Sequence, residues 1–388
     1  MTPDQPAIAA DGFAARLSVF YGGLFVALGV QMPFLPVWLA AKGLDANAIG
    51  IVLAAPLVLR IFAVPLVTGV ADRFGALRGA LIAAAAATAA GYAVLGLASG
   101  FWPILMMVAL ASAAFTSIFP LSDAYALKGL GVRGRSYGSV RLWGSGTFIV
   151  GSLGAGLLVD VVRPTDLIWL MAAAFLLMAL ISLALPALGP ARAPRARPAS
   201  AIAFLRSPAF LSIAAAASLI QASHALYYGF STLDWTAAGL DGRTIGALWA
   251  IGVIAEIILF AVSGRLPAVF SPTVLLCVGA AGAVIRWGAM ALNPPALVLP
   301  LLQGLHGLSF GATHLGAVQF LARAAPDQLG ATTQGYLAIV LGGVMAAFMG
   351  LSGLLYAAYG SRSYAAMAMA ALAGGALALA AQRRWRDA

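Results

Sequence analysis

Twelve apolar runs, each close to the length a helix needs to cross a bilayer, occupy most of this 388-residue chain. They fall at 14–40, 48–71, 79–98, 102–126, 137–159, 166–188, 208–236, 244–264, 273–292, 296–321, 331–358 and 364–381. The hydrocarbon layer is about 30 Å thick, so about 20 helical residues span it. The alternating segments of about 10 residues that build a membrane β-barrel do not occur. Composition agrees: 62% of residues are apolar and 9% charged, where soluble domains carry about 25% charge. A soluble enzyme of this size would lack polar surface, and a disordered chain would be far less apolar. The expected fold class is all-α integral membrane with twelve transmembrane helices. The first run is too long for a signal peptide and has no small-residue cleavage site, so it is expected to be kept.

The breaks between runs are short, except for Gly189–Ser207, which is rich in Pro and Arg. That segment divides the helices six and six. The expected units are 1–188 and 208–388, joined by a linker at 189–207. With both termini inside, 15 of the 22 Lys and Arg residues lie on the inner side. Lys42, Arg163, Arg243 and Arg362 lie outside, and Arg60, Arg141 and Arg286 lie within runs. This is the positive-inside pattern of a plasma-membrane protein with cytoplasmic termini. The net charge of +10 therefore reads as a topology signal aided by anionic lipid, not as a nucleic-acid site. The Arg-over-Lys and Ala-rich usage points to a bacterial source. One cysteine, Cys277, excludes a disulfide within the chain. No metal-ligand cluster, H-E-x-x-H, G-x-S-x-G or phosphate loop occurs. No enzyme activity, cofactor or metal is expected. The expected partners are the lipid bilayer and a small-molecule substrate, with the chain working as a monomer.

Two six-helix halves around a basic inner loop are the layout of the major facilitator superfamily, whose halves rock about a midplane site. The loop between runs two and three contains Asp72-Arg73-Phe74-Gly75, which resembles that superfamily's D-R-x-G motif. The motif's leading glycine falls one residue late, at Gly69, and its following basic residue is displaced to Arg78. Asp72 and Arg73 are candidate gate residues through charge-assisted bonds, and Gly75 permits a tight turn. A loop that only sets topology is the other reading.

A charge inside the bilayer costs about 2.5–3.5 kcal/mol on insertion scales, so each one is a functional candidate. Arg60 sits mid-run in the second span. An unpaired Arg there suits a substrate carboxylate, because the guanidinium fork matches it; pairing with backbone carbonyls or snorkelling is the alternative. Asp123 ends the fourth run and Arg141 starts the fifth, so the hairpin between them allows the two to pair. Glu256, the chain's single glutamate, lies in the eighth span. Arg286 lies in the ninth, and His306 and His314 lie eight residues apart on one face of the tenth. A buried Glu that alternates between an apolar setting and a neighbouring Arg would load and release a proton. A static Glu256–Arg286 bridge is the competing reading. His224, Tyr227 and Tyr228 lie deep in the seventh span, where a histidine is either a proton carrier or a packing residue. The tyrosines and Trp249 could stack on a ring. Asp234 reads as an outer-mouth residue. Glycines along the fifth and eleventh spans allow close helix packing.

Several segments together resemble the 3-phenylpropionate permease family of bacterial proton symporters. They are Pro120-Leu-Ser-Asp-Ala, Arg141-Leu-Trp-Gly-Ser, Gln221-Ala-Ser-His-Ala-Leu-Tyr-Tyr-Gly-Phe-Ser, Ile245 to Glu256, Arg286-Trp-Gly, and Leu305-His-Gly-Leu-Ser-Phe with His314. The family is a branch of the major facilitator superfamily near the nucleoside and oligosaccharide symporters. The resemblance runs nearly end to end and is strongest from Gln221 to Arg286. It implies proton-driven uptake of an arylpropionate, the proton being the coupling ion. In a more distant relative, the lactose permease, an acid on helix 4 and an Arg on helix 5 bind sugar. Asp123 and Arg141 match those roles. That relative's proton machinery uses a helix-8 acid, a helix-9 Arg, a helix-10 His and a further acid. Glu256, Arg286 and His306 match the first three, while Ser309 and Phe310 stand where the fourth would be. The resemblance thus implies proton coupling at Glu256, Arg286 and His306. Substrate contacts are expected at Arg60, Asp123, Arg141, His224, Tyr227, Tyr228 and His314. A sugar or nucleoside symporter, or a drug or metabolite exporter of the same fold, remains open.

Overall fold

The structure, a computed structural model, describes residues 12–188, 202–267, 269–326 and 329–386. Six long helices come first: α1 (Phe13–Ala41), α2 (Ala46–Arg73), α3 (Leu77–Leu97), α4 (Phe101–Gly131), α5 (Tyr137–Val159) and α6 (Leu167–Leu183). A short α7 (Ile202–Leu205) lies in the connecting segment. Then follow α8 (Pro208–Ala222), α9 (Ala225–Ala237), α10 (Gly242–Ser263), α11 (Pro272–Met290), α12 (Leu299–Gly304), α13 (Thr313–Ala324), α14 (Gly330–Tyr359) and α15 (Tyr364–Arg386). Among the described residues there is no β-strand. Arg192, Arg195 and Arg197 of the basic linker lie outside the described residues.

Eleven helical segments are long and apolar enough to cross a membrane. The last of them, Thr332–Gln382, has 51 residues. That is about 76 Å of helix, more than twice the hydrocarbon thickness of ~30 Å. A turn at Gly360–Ser363 divides it into α14 and α15, so the eleventh and twelfth runs are separate helices. Side chains such as Phe62, Leu66, Leu97, Trp102 and Leu301 stand fully exposed around the outside. Such a coat is stable only when lipid replaces water. The chain is a multi-pass membrane protein.

Local chemistry sets the helix ends. Asp45, Ser207, Asp241 and Ser271 cap α2, α8, α10 and α11 by accepting backbone N–H bonds from Ala48, Phe210, Thr244 and Val274. Gly75 adopts φ +60 where the chain turns from α2 to α3, a conformation other residues rarely hold. Three spans differ from their runs. α4 continues to Gly131, so Asp123 lies about 12 Å inside its end rather than at it. The seventh span breaks between α8 and α9 at Ser223 and His224. The tenth contains a π-helical turn, Gly307–Ala312, between α12 and α13.

The linker follows α6 and precedes α8, which defines one end of the bundle as the linker side. The two sets of helices meet through α1 with α9, α2 with α14, and α5 with α10. The close backbone approaches lie at the ends away from the linker. A Cβ built on Gly50 of α2 would sit 2.8 Å from the Cα of Gly353 in α14. One built on Gly246 of α10 would sit 2.5 Å from the carbonyl oxygen of Ser152 in α5. A hydrogen bond joins the same seam: the Gly242 N–H donates to both carboxylate oxygens of Asp160 at 2.9 Å. An anion at the N-terminus of α10 also suits the helix dipole. At the linker side, Asp72 and Arg73 are exposed. Among the described glycines, the close approaches between the two halves lie at the far end and at mid-depth, and none lies on the linker side.

Candidate functional site

In the second half, Arg286 of α11 is fully buried and organises its surroundings. Its guanidinium lies between two rings, 4.4 Å from the centroid of Tyr227 and 4.5 Å from that of Trp287. One Nη donates to Oε1 of Gln303 at 2.5 Å, and the other to Nδ1 of His306 at 2.9 Å. The second also lies 3.5 Å from Oγ of Ser309. Arginine can only donate. Nδ1 of His306 is therefore the acceptor nitrogen, and in the neutral ring the proton sits on Nε2. That nitrogen faces Oε2 of Glu256 at 3.8 Å.

The competing reading, a direct Glu256–Arg286 bridge, does not form; the groups lie in a chain, Glu256–His306–Arg286–Gln303. His306 and Ser309, three residues apart, share the helix face toward α11 where the π turn Gly307–Ala312 begins. Gly307 brings this turn against α10, since a Cβ there would sit 2.7 Å from the Ala255 carbonyl oxygen, next to Glu256. Gln221 donates to the Phe310 carbonyl at 3.4 Å, within the turn.

His224 lies behind this chain, with no exposed surface. Its Nδ1 faces the carbonyls of Ile220 and Gln221 at 3.2 and 3.1 Å, so Nδ1 carries the proton. Its Nε2 accepts from Ser309 Oγ at 3.0 Å. Tyr227 is buried too, packed against Trp249, Trp287 and Arg286. Tyr228 is half-buried, and its ring lies near those of His224 and Trp249. His306, Phe310 and His314 stack in one column, with centroids 5.2 and 6.3 Å apart, so the two histidines do share a face. His314 is exposed and lines a separate cavity with Gln221, Thr313 and Gln334, nearer the linker side.

In the first half, Asp123 and Arg141 do not pair. Oδ1 of Asp123 accepts the hydroxyls of Tyr21 and Tyr137, each at 2.7 Å. The Arg141 guanidinium lies over Phe25 at 4.3 Å and Tyr21 at 5.7 Å. Two phenols satisfy the carboxylate without the desolvation cost of a buried ion pair. A ring thus stands between acid and arginine in each half: Tyr21 in the first, His306 in the second. Arg141 lies within electrostatic range of Glu256, beyond ion-pair distance, across the seam between α5 and α10. Arg60 of α2 lies against α14, where a Cβ on Gly342 would sit 2.6 Å from its Nη2. Neither Arg60 nor Arg141 has a carboxylate within ion-pair distance among the described residues. Glu256 keeps 25% of its side chain exposed, and Arg60 and Arg141 are also part-exposed.

The structure adds Tyr21, Gln303 and Ser309 to the sequence-level candidates. Gln303, His306 and Ser309 recur every third residue in an otherwise apolar span, a signal visible in the chain. Tyr21 carries no such signal, because an aromatic residue in a membrane helix ordinarily packs.

Residues 14–366 match the model of the MFS_1 like family. The chain is 32% identical over 365 residues to an Escherichia coli (strain K12) protein named "Probable 3-phenylpropionic acid transporter", covering 92% of this chain and 94% of that one. It is 29% identical over 350 residues to the "Maltose permease" of Geobacillus stearothermophilus, covering 88% of each. The fold resembles the crystal structure of the nucleoside transporter NupG, with a TM-score of 0.81 at 16% identity, covering 96% of this chain and 99% of that one.

Proposed function

Because this chain belongs to the MFS_1 like family, a branch of the major facilitator superfamily of membrane transporters rather than of enzymes, we propose that it is a proton-coupled symporter. It imports an aromatic carboxylate, with 3-phenylpropionate the first candidate, across the bacterial inner membrane. The termini and linker are cytoplasmic, so the conformation described is inward-open.

One observation carries this reading: Glu256 faces the His306 N–H at 3.8 Å, while the part-exposed Arg60 and Arg141 have no carboxylate within ion-pair distance among the described residues. With Glu256 ionised, its charge balances Arg141 across the cleft. Protonation removes that balance and leaves an excess cation. A substrate carboxylate restores it by engaging the guanidinium of Arg141 or Arg60. Proton and anion therefore load together and release together. His306 cannot hold a second proton while Arg286 donates to Nδ1, so Glu256 is the carrier and His306 positions it. Tyr228 offers ring surface near this site, whereas Trp249, Tyr227 and His224 are buried behind it and support Arg286 and Ser309. When the halves rock outward, Asp72 and Arg73 close the linker side.

The test uses liposomes containing the purified protein, with a pH-sensitive dye inside. Adding 3-phenylpropionate outside should acidify the lumen faster than in protein-free liposomes, which correct for unaided weak-acid leak. One proton per anion makes the cycle electroneutral, so clamped membrane potentials of either sign should leave the rate unchanged. Glu256→Gln should lose accumulation against a gradient while keeping exchange of labelled for unlabelled substrate. Accumulation that survives in Glu256→Gln would sink the proton assignment. The maltose permease similarity motivates a second reading, in which Asp123 accepts a hydroxyl of a sugar or nucleoside. A response to those compounds alone would retain the symporter and discard the carboxylate.

A further inference from the structure

Asp234 of α9 is a half-buried acid with no part in the proposed symport. Its Oδ1 accepts the Tyr356 hydroxyl of α14 at 2.5 Å. Its Oδ2 is sealed from solvent and has no hydrogen-bond partner. Two further buried groups nearby also lack partners, the Tyr364 hydroxyl and Trp235 Nε1. The titratable groups facing the carboxyl are Tyr356 from α14 and Tyr364 from the start of α15; Arg286 of α11 acts on Tyr364 from its other side. Among the described residues, α1, α2 and α10 bring no Lys, Arg, His or further acid within ion-pair distance of it. A carboxylate with one donor, one sealed oxygen and no cation is poorly solvated; the neutral acid is not.

Its place in the fold matters as much as its surroundings. Tyr356 stands one helical turn beyond Gly353, where α14 meets Gly50 of α2. α9 packs on α1, and stacking on Phe230, with centroids 4.5 Å apart, holds the Tyr356 ring against α9. The Asp234–Tyr356 bond therefore ties together the two second-half helices that close the far seam. We propose that Asp234 is a second proton-binding site, on the extracellular side, and that the proton it holds keeps this seam shut. Losing that proton creates a charge that must be hydrated, and water reaches it only if the ends of α9 and α14 part from α1 and α2. Protonation thus favours the closed far side, which is the order a proton importer needs. The inference rests on the proposed orientation and symport.

The test needs no substrate. Leu53 of α2 lies across the seam, 3.5 Å from where a Cβ on Gly229 of α9 would sit. Leu53→Cys is introduced with Cys277→Ser, which removes the native thiol. Right-side-out vesicles are labelled from outside with an impermeant maleimide across a pH series, each point normalised to denatured protein at the same pH. Labelling should rise with pH, because the closed seam is favoured at low pH and lost as Asp234 ionises. Asp234→Asn, neutral at every pH, should hold labelling low and flat, at least tenfold below the wild-type maximum. Tyr356→Phe removes a donor to the ionised form, so its midpoint should move to higher pH. Glu256→Gln should keep the wild-type midpoint. A wild-type profile in Asp234→Asn, or an unmoved midpoint in Tyr356→Phe, overturns the proposal. If Asp234→Asn does not fold, the Tyr356→Phe midpoint decides alone. A profile abolished only by Glu256→Gln keeps the proton coupling and overturns the Asp234 site.

Discussion

Arg60 depends on the absence of a neighbouring side chain. Gly342 leaves the guanidinium room against α14, with a Cβ position 2.6 Å from Nη2. Gly342→Ala should push Arg60 out of place while leaving its charge intact. The expected result is an apparent affinity for the aryl acid about tenfold weaker, or about 1.4 kcal/mol, with little change in protein abundance. Competition binding on purified protein measures it. Unchanged affinity would mean that Arg60 does not hold the carboxylate. Arg286 is different, because five neighbours define its place: Tyr227, Trp287, Gln303, His306 and Ser309. Removing it would leave Gln303 and His306 unsatisfied, so its loss reads on folding as much as on transport.

The π turn packs beside the proton chain: His306 immediately precedes it and Ser309 lies within it. Gly307 lets this turn sit against Ala255, one residue from Glu256. Gly307→Val should force α10 away and widen the 3.8 Å gap between Glu256 and His306. We expect accumulation to fall at least tenfold while exchange falls less, because alternating access survives the loss of coupling. Parallel accumulation and exchange assays in the same liposomes separate the two. An equal fall in both would place the turn in the rocking motion instead.

Across the whole molecule, closure of the far seam comes from small residues and one polar latch. Gly50 meets Gly353, Ser152 meets Gly246, and Asp160 holds the N-terminus of α10. Side chains that fill this seam should stop the far ends meeting and shift the population to the outward-open form. Gly50→Trp is expected to lengthen spin-label distances between the far ends of α2 and α14 and shorten those at the linker side. Substrate binding should persist while transport is lost. Distances matching wild type would show that the seam repacks around the new ring.

The membrane fold, the number of helices and the list of charged candidates followed from the chain alone, because hydrocarbon tolerates few charges and sets the length of each run. Glu256, Arg286 and His306 stood out for that reason, as did Arg60 and Arg141. What the chain did not reveal was which of them touch. The allowed Asp123–Arg141 pair and the competing Glu256–Arg286 bridge are both absent: Tyr21 bonds Asp123, and His306 stands between Glu256 and Arg286. That depends on helix rotation and on the depth of α4, neither of which a hydropathy pattern records. Arg141 comes within electrostatic range of Glu256 only because two halves far apart in sequence meet at α5 and α10. Asp234 looked like a residue of the outer mouth; only packing of α9 against α14 seals one of its oxygens and leaves it without a donor. Burial patterns belong to single helices and can be read along the chain, whereas pairing depends on how helices rotate and dock, and tertiary packing alone decides that.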